Sequence, residues 1–337
     1  MTAWNTQVAV VALFSGLMSV SGLAGCDSSE ATGGASDLGP AKVLMQSCGE
    51  SMSLKTQYRA RQGQRLQGLV GPSFTVTGAR FDCEQTSDMG LRGTELTGTL
   101  PSRVVGGADF VGSALRFVDA SGVTGEVAVT QVDVDPSDST GETMLYTLVT
   151  YDASTGTVKN ICSPDPDGRA AAIPLRGRWD ASGAYVNDSS ISFNCTSGVI
   201  AKCVRWGYHP WQTVQGQSLA PYHQACTRMA RADYCGDGVT HTQEGTLIDM
   251  YDNLGKLTPD FGLTLFEASW TPDGAYCVAR DRWLIVSKLL TSDCQAKFEL
   301  SIQPSPVNPL DLCFMHRVGS PAKDALLSDR TGINIGL

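Results

Sequence analysis

The chain has 337 residues, hydrophobic residues at 42% of its positions and a formal net charge of −9. This length provides one large domain or two ordinary domains with a real hydrophobic core. The acidic balance argues against a nucleic-acid partner, because a protein that binds a duplex needs a basic face to displace counterions.

The chain begins with an apolar run from Val8 to about Leu23, which ends in the letters LAGC at residues 23–26. The run is short for a membrane-spanning helix, which needs about 20 apolar residues. Small residues before a cysteine are typical of a lipoprotein signal peptide. We therefore predict a signal peptide over residues 1–25 and lipidation of Cys26, although no Lys or Arg precedes the run. A buried N-terminal helix is the alternative.

Residues 26–45 are mostly small and polar and have no aromatic anchor. This composition predicts a flexible tether between the lipid and the folded body. The expected location is the cell envelope, where the lipid anchors the chain to a membrane and the protein faces the periplasm or the cell surface.

Residues 46–160 contain short alternating apolar runs such as "SFTVTGARF" and "EVAVTQVDVD". Alternation with a period of two residues, bounded by Asp, Ser and Gly, predicts half-buried strands joined by hairpins. We therefore predict that this β-rich N-terminal region forms a sandwich or a barrel. Its aspartates are typical of turns. Calcium binding by Asp133, Asp135 and Asp138 is the alternative, but their spacing differs from that of an EF-hand loop.

Residues 161–337 form the second predicted region, in which strands continue and two helices follow. The stretches "SGVIAKCVRWGY" and "PYHQACTRMARADYC" have helical composition, with Ser197 and Pro221 near the helix starts. Pro272-Asp273-Gly274 predicts a hairpin turn, and "RWLIVSKLL" predicts a further short helix. The predicted fold is α+β, mostly antiparallel β with a disulfide-linked helical pair in the C-terminal half.

The chain has eleven cysteines, of which the lipidation site uses one. An even number of remaining cysteines in an exported chain predicts a set of disulfides. No CxxC spacing is present, so we expect no zinc site, and nothing in the sequence predicts a cofactor or another metal. The disulfide candidates are Cys48, Cys83, Cys162, Cys195, Cys203, Cys226, Cys235, Cys277, Cys294 and Cys313.

Three blocks in the second region carry a family resemblance: "CTSGVIAKCVRWGYHPWQTV", "HQACTRMARADYCGDGVTHTQEGTLIDMYDNLG" and "FEASWTPDGAYCV". In this order they resemble the ADYC domain, which is named for the letters at Ala232, Asp233, Tyr234 and Cys235. The resemblance covers roughly residues 162–280. It implies a secreted or lipid-anchored protein of Gram-negative bacteria and implies no particular activity.

The cysteines in these blocks constrain one another. If one helix runs from Pro221 to Tyr234, Cys226 and Cys235 lie roughly 13 Å apart at 1.5 Å per residue, whereas a disulfide needs Cα atoms within about 7 Å. We therefore expect Cys203 to pair with Cys226 and lock two helices side by side. Cys195 is a candidate partner for Cys235, and other connectivities remain open.

The ADYC tetrapeptide allows a structural and a catalytic interpretation. In the first, Cys235 is in a disulfide, Gly236 caps the helix, and Asp233 accepts backbone N–H groups or pairs with Arg205 or Arg228. In the second, Cys235 acts as a nucleophile with His223 or His241 as its base. An even cysteine count favours the first interpretation.

Trp206, Tyr208 and Trp211 follow the first predicted helix. Exposed rings at these positions would stack on sugars and form a candidate carbohydrate-binding site. Buried rings would fill the space between the helices and the sheet, which we favour because only 7% of the residues are aromatic.

These observations predict an exported lipoprotein that serves as a binding or structural module. Its candidate partner, besides the membrane, is an envelope polysaccharide or a protein. The alternative is an envelope hydrolase that uses Asp233 and Cys235 with a nearby histidine.

Overall fold

The computed structural model describes residues 74–119, 122–152, 155–243, 246–259, 264–280, 282, 299–300 and 325–332. The predicted signal peptide, the tether, most of "RWLIVSKLL" and four cysteines (Cys26, Cys48, Cys294, Cys313) lie outside these residues. Within them, no helix is both long enough and apolar enough to cross a membrane.

The first part of the described chain is almost entirely strands. In chain order they are β1 (Phe74–Phe81), β2 (Glu84–Gln85), β3 (Asp88–Arg92), β4 (Glu95–Thr99), β5 (Val104–Gly106), β6 (Ala114–Asp119), β7 (Thr124–Val134), β8 (Met144–Asp152), β9 (Thr157–Asn160), β10 (Ala172–Trp179) and β11 (Tyr185–Cys195).

The second part contains both helices. Its elements are α1 (Val199–Arg205), β12 (Thr213–Val214), β13 (Gln217–Ser218), α2 (Ala220–Arg231), β14 (Ile248–Asp252), β15 (Thr264–Thr271), β16 (Gly274–Val278), β17 (Glu299–Leu300) and β18 (Leu327–Gly332). The fold is therefore α+β and mostly antiparallel β, as predicted.

The largest sheet closes on itself. Its strands follow the order β10-β11-β1-β6-β7-β8-β9, and β10 also pairs with β8 where Ala172 lies opposite Tyr146. Alternating side chains of these strands point inward and form an aromatic centre, in which Phe74 lies 4.7 Å from Phe117 and 5.6 Å from Phe193 between ring centroids. Of the two predicted architectures, the structure has the barrel.

The boundary predicted between residues 160 and 161 is wrong. Strand β1 pairs with β11, with Phe74 opposite Phe193, and β8 pairs with β10. Strands from both predicted regions therefore form one barrel. Each strand shows its own alternation in the sequence, but the sequence does not show which distant strand is its partner.

The two helices lie between the outside of the barrel and a second sheet with the order β14-β18-β15-β16-β17. One hydrophobic core joins all three layers, with Leu175 of β10, Met229 of α2 and Trp270 of β15 among its members. The disulfide Cys203–Cys226 links α1 to α2 with Cα atoms 5.9 Å apart. This disulfide confirms the predicted pairing of Cys203 with Cys226.

An arginine at the end of α1 attaches the helices to the barrel. The Arg205 guanidinium lies 2.7 Å from Asp135 Oδ2, 3.0 Å from Asp165 Oδ2 and 2.9 Å from Asp167 Oδ2. Asp135 and Asp165 come from two different loops of the barrel, so this one side chain fixes the direction in which α1 leaves the sheet.

Candidate functional site

The ADYC letters begin where α2 ends. The helix stops at Arg231, and Ala232 adopts a left-handed conformation with φ 49° and ψ 45°. The expected helix through Tyr234 with Gly236 as its cap is therefore wrong by three residues. Left-handed backbone costs an L-residue roughly 1–2 kcal/mol, so contacts that follow Ala232 must stabilise this early end.

The carboxylate of Asp233 supplies those contacts. It is fully buried, and its Oδ2 accepts a hydrogen bond from Arg228 Nη1 at 2.6 Å. The backbone N–H groups of Asp237 and Gly238 donate to the same carboxylate at 3.1 and 3.2 Å. The structural interpretation of Asp233 is confirmed, with Arg228 rather than Arg205 as its partner.

Arg228 and a second arginine of α2, Arg231, donate further hydrogen bonds to the surrounding loops. Arg228 donates to the carbonyl oxygen of Ser182 at 2.5 Å and to that of Pro272 at 3.1 Å, and Arg231 donates to the carbonyl oxygen of Gly238. Burial lowers the pKa of Arg231 to about 10, while the neighbouring Asp233 opposes that shift. We call the meeting point of residues 180–183, 232–238 and 271–274 the three-loop junction.

The junction is packed too closely for a side chain at Gly236. A Cβ atom added there would lie 1.8 Å from the carbonyl oxygen of Asp273, and φ at Gly236 is +66°. The Tyr234 carbonyl oxygen meanwhile accepts the N–H of Ala275 at 2.9 Å. The segment after the helix is thus fastened to the β15–β16 hairpin, whose predicted turn at Pro272-Asp273 is confirmed by the pairing of Thr271 with Gly274.

Tyr234 points the other way, into the core. Its hydroxyl donates to Glu267 Oε1 at 2.9 Å and accepts the backbone N–H of Arg282 at 2.9 Å. Its ring stacks on Trp270 at 5.3 Å. Burial raises the pKa of the Tyr234 phenol, and the charge of Glu267 adds to that effect.

Sequence reasoning missed the charged residues around this phenol. Arg282 Nε donates to both oxygens of Glu267 at 3.1 and 2.9 Å, and its Nη2 donates to Asp329 Oδ2 at 2.8 Å. Trp270 Nε1 donates to Asp329 Oδ1 at 2.8 Å. Glu267, Arg282 and Asp329 are far apart in the chain and share no spacing motif, so no local signal identifies them.

Cys235 is disulfide-bonded, as are all seven cysteines within the described residues. Cys195 pairs with Cys162, so the suggested link between Cys195 and Cys235 is wrong. Because its sulfur is in a disulfide, Cys235 offers no thiolate for nucleophilic attack.

The two candidate bases are also engaged. His223 Nε2 lies 2.9 Å from the carbonyl oxygen of Ile200, and burial lowers the pKa of His223 to about 4. His241 Nδ1 lies 3.0 Å from the carbonyl oxygen of Ala232. Neither imidazole forms a pair with a free thiol, so the catalytic interpretation loses its nucleophile.

The three aromatic candidates do not form an open platform. Tyr208 is fully buried, and its hydroxyl donates to Asp252 Oδ2 at 2.8 Å. Trp206 and Trp211 are half-buried against the same core, and Trp211 Nε1 donates to Glu142 Oε2 at 3.0 Å. Burial explains most of this cluster, and Trp211 also stacks on His209 with ring centroids 4.8 Å apart.

The aspartates considered for calcium shape turns. Asp135 Oδ1 accepts the N–H of Ser137 at 2.9 Å, and Asp138 Oδ1 accepts the N–H of Thr140 at 2.9 Å. Asp133 is exposed on β7. Among the described residues no group of three or more His, Cys, Asp or Glu side chains is arranged to hold a metal ion.

A cavity of about 330 Å³ lies beside the junction. It is lined by Tyr234, Cys235, Thr271, Asp273, Ala275 and Tyr276. Asp273 is the one acidic residue in this lining, which contains no histidine, so the set does not include an acid–base pair.

We predict that Asp233→Asn destabilises the protein by about 1–3 kcal/mol, because the amide leaves the buried Arg228 guanidinium without its charged partner. Chemical denaturation measures the free energy of unfolding. Asp273→Asn, an exposed acid in the same junction, is the control and should change stability by less than about 0.5 kcal/mol. Equal stability of the two variants would contradict the role assigned to Asp233.

We predict that Gly236→Ala prevents normal folding, whereas Gly255→Ala costs only about 1 kcal/mol. Both glycines have nearly the same φ, +66° and +68°, but nothing lies within 4 Å of a Cβ added at Gly255. The comparison separates steric overlap from backbone strain. Soluble yield and thermal unfolding midpoint are the measurements, and similar values for both variants would show that the junction is not closely packed.

Comparison with known proteins identifies a family but does not identify an activity. A family model described as the ADYC domain matches residues 107–284. No curated protein and no solved structure matches the chain. The match begins well before residue 162, among the residues that form the barrel. The domain therefore includes several barrel strands as well as the helical pair. Because the match spans more than half of the sequence, the chain belongs to the ADYC domain family.

Proposed function

We propose that this protein is an exported lipoprotein of the bacterial cell envelope whose ADYC domain serves as a binding or structural module. One observation carries the non-catalytic part of the proposal. Asp233, Tyr234 and Cys235 are all buried and all bound within the protein. The residues that define the family therefore hold the fold together, and they leave no reactive group for a substrate.

The cysteines support export. Seven disulfide-bonded cysteines in the described residues are typical of a protein that folds in an oxidising compartment. The LAGC letters at residues 23–26 supply the lipidation signal. A chain with this signal would be held at the membrane surface by its lipid, with the barrel and helices beyond the tether.

The proposed partner is an envelope polysaccharide or another envelope protein. Trp206 and Trp211 are half-buried rather than fully buried and lie close to Gln212 in the chain. One face of Trp211 is stacked on His209. Rings fixed by internal hydrogen bonds lose little entropy on binding, and Trp211 is fixed by Glu142. A hydrolase that uses Asp233 and Cys235 is the less favoured candidate because both side chains are already bound.

We predict that Cys26→Ala moves the full-length protein from the membrane fraction to the soluble fraction, or leaves it as an unprocessed precursor. Without the thiol no diacylglyceryl group can be attached. Ser28→Ala, two residues further on, is the control and should remain in the membrane fraction. Membrane sedimentation of Cys26→Ala with normal processing would contradict the lipid anchor.

We predict saturable binding of the purified protein to one envelope fraction without turnover of that fraction. Immobilised peptidoglycan, lipopolysaccharide and outer-membrane proteins are the probes, and co-sedimentation measures the binding. Soluble saccharides and peptides are assayed in the same samples. Time-dependent release of either product, abolished in Asp233→Asn at a temperature where that variant is folded, would support the hydrolase instead.

A further inference from the structure

Glu267, Asp329 and Arg282 form a charged cluster inside the protein. All three side chains are fully buried. One guanidinium serves both carboxylates, at 2.9 Å to Glu267 Oε2 and 2.8 Å to Asp329 Oδ2. Two negative groups and one positive group leave one charge uncompensated if both acids are ionised.

An uncompensated charge at zero exposure is costly, because a buried ion loses its hydration and regains it only through a partner. Arginine stays ionised in proteins. The cluster therefore reaches charge neutrality most easily by keeping one proton on its acid pair.

We infer that Asp329, held together with Glu267 on the single Arg282 guanidinium, keeps one proton at neutral pH, and that loss of this proton at higher pH weakens the contact of β15 and β18 with α2 and Tyr234. The inference concerns a pH-sensitive element in the ADYC domain and does not depend on the proposed function.

Arg282 also connects the cluster to α2 and to the segment that follows α2. Arg282 donates to the carbonyl oxygens of Met229 and Ala230 at 2.8 and 3.2 Å, which attaches it to α2. It also donates to Thr242 Oγ1 at 3.0 Å. Repulsion between two ionised acids would therefore act directly on the helix end that begins the three-loop junction.

Among the described residues, the other arginines near the cluster have partners outside it, and Arg280 donates to the carbonyl oxygen of Thr331 at 2.8 Å. Arg330 lies 3.8 Å from Asp249, and Arg228 and Arg231 of α2 bind Asp233 and Gly238. The other titratable groups near the cluster are Tyr234, Tyr251 and His241.

The direction of the expected titration follows from the same geometry. Burial and the charge of Glu267 raise the pKa of Asp329 to about 8, although Arg282 and Trp270 act in the opposite direction. The unfolded chain has the usual aspartate pKa of about 3.9. A raised pKa stabilises the fold at low pH, and this contribution is lost as the pH rises through the folded value.

His223 has the opposite effect on the pH dependence of stability, and it acts in a lower pH range. Its pKa is lowered to about 4 in the folded protein, compared with about 6.5 in an unfolded chain. Its contribution is complete above about 6.5 and is lost at lower pH. The window from about pH 6.5 to 8 therefore isolates the acid pair from this histidine.

The experiment measures the unfolding equilibrium of the intact, disulfide-bonded protein in denaturant across this window. We expect the unfolding constant of the wild-type protein to rise by up to about tenfold per pH unit, which corresponds to one proton. Asp329→Asn and Glu267→Gln should each flatten this dependence, because either change removes the excess negative charge. Asp273→Asn, an exposed acid on the same hairpin, should keep the wild-type slope.

A second measurement tests the inference if the two core variants, Asp329→Asn and Glu267→Gln, fail to fold. Calorimetric unfolding of the wild-type protein near pH 7.2, in buffers with different ionisation enthalpies, counts the protons exchanged. Release of close to one proton on unfolding is expected. No release, or a wild-type slope retained in both core variants, would overturn the inference.

Discussion

The buried ion pair between Asp233 and Arg228 is the interaction on which the helical half of this protein depends. At 2.6 Å, with both side chains almost inaccessible to solvent, neither charge can lose the other without a large desolvation cost. The pair lies where α2 ends: Ala232 takes the left-handed conformation, and the next residue, Asp233, reaches back to Arg228. A locally unfavourable backbone conformation is thus maintained by a tertiary contact.

From that turn, consecutive residues hold different parts of the fold. Asp233 faces the arginines and the loop at residues 180–183, Tyr234 faces the acids and Trp270, and Cys235 is in a disulfide. A four-letter motif can therefore define a family without any catalytic role. Substituting any of the three polar letters would leave a buried partner unsatisfied, which is a strong reason for them to occur together.

The helical pair and its disulfide could be predicted because their evidence is local. A helix continuing from Cys226 to Cys235 would hold these two cysteines too far apart for a disulfide, and Cys203, in the neighbouring predicted helix, is the candidate partner of Cys226. The structure has this Cys203–Cys226 disulfide, although α2 ends at Arg231. The helix end could not be predicted, since alanine favours helix and Gly236 offers an ordinary cap. The controlling contact, Asp233 with Arg228, is visible only once the chain has turned.

The barrel and the acid cluster show a second limit of prediction from the sequence. Alternation predicts that a strand exists but not that β1 pairs with β11, more than a hundred residues away. Likewise, Glu267, Arg282 and Asp329 have no common pattern, because their proximity is produced by sheet register and by the helix that covers it. Long-range pairing of this kind is the information that single-sequence periodicity does not contain.

Both buried charge clusters lie at the end of α2, next to Tyr234. Asp329, Arg231 and Tyr234, whose pKa values are shifted from their usual range, are inside the protein. Perturbed groups often mark functional sites, but structural ion networks perturb pKa values as well. Here the absence of solvent access at these side chains decides for the structural explanation.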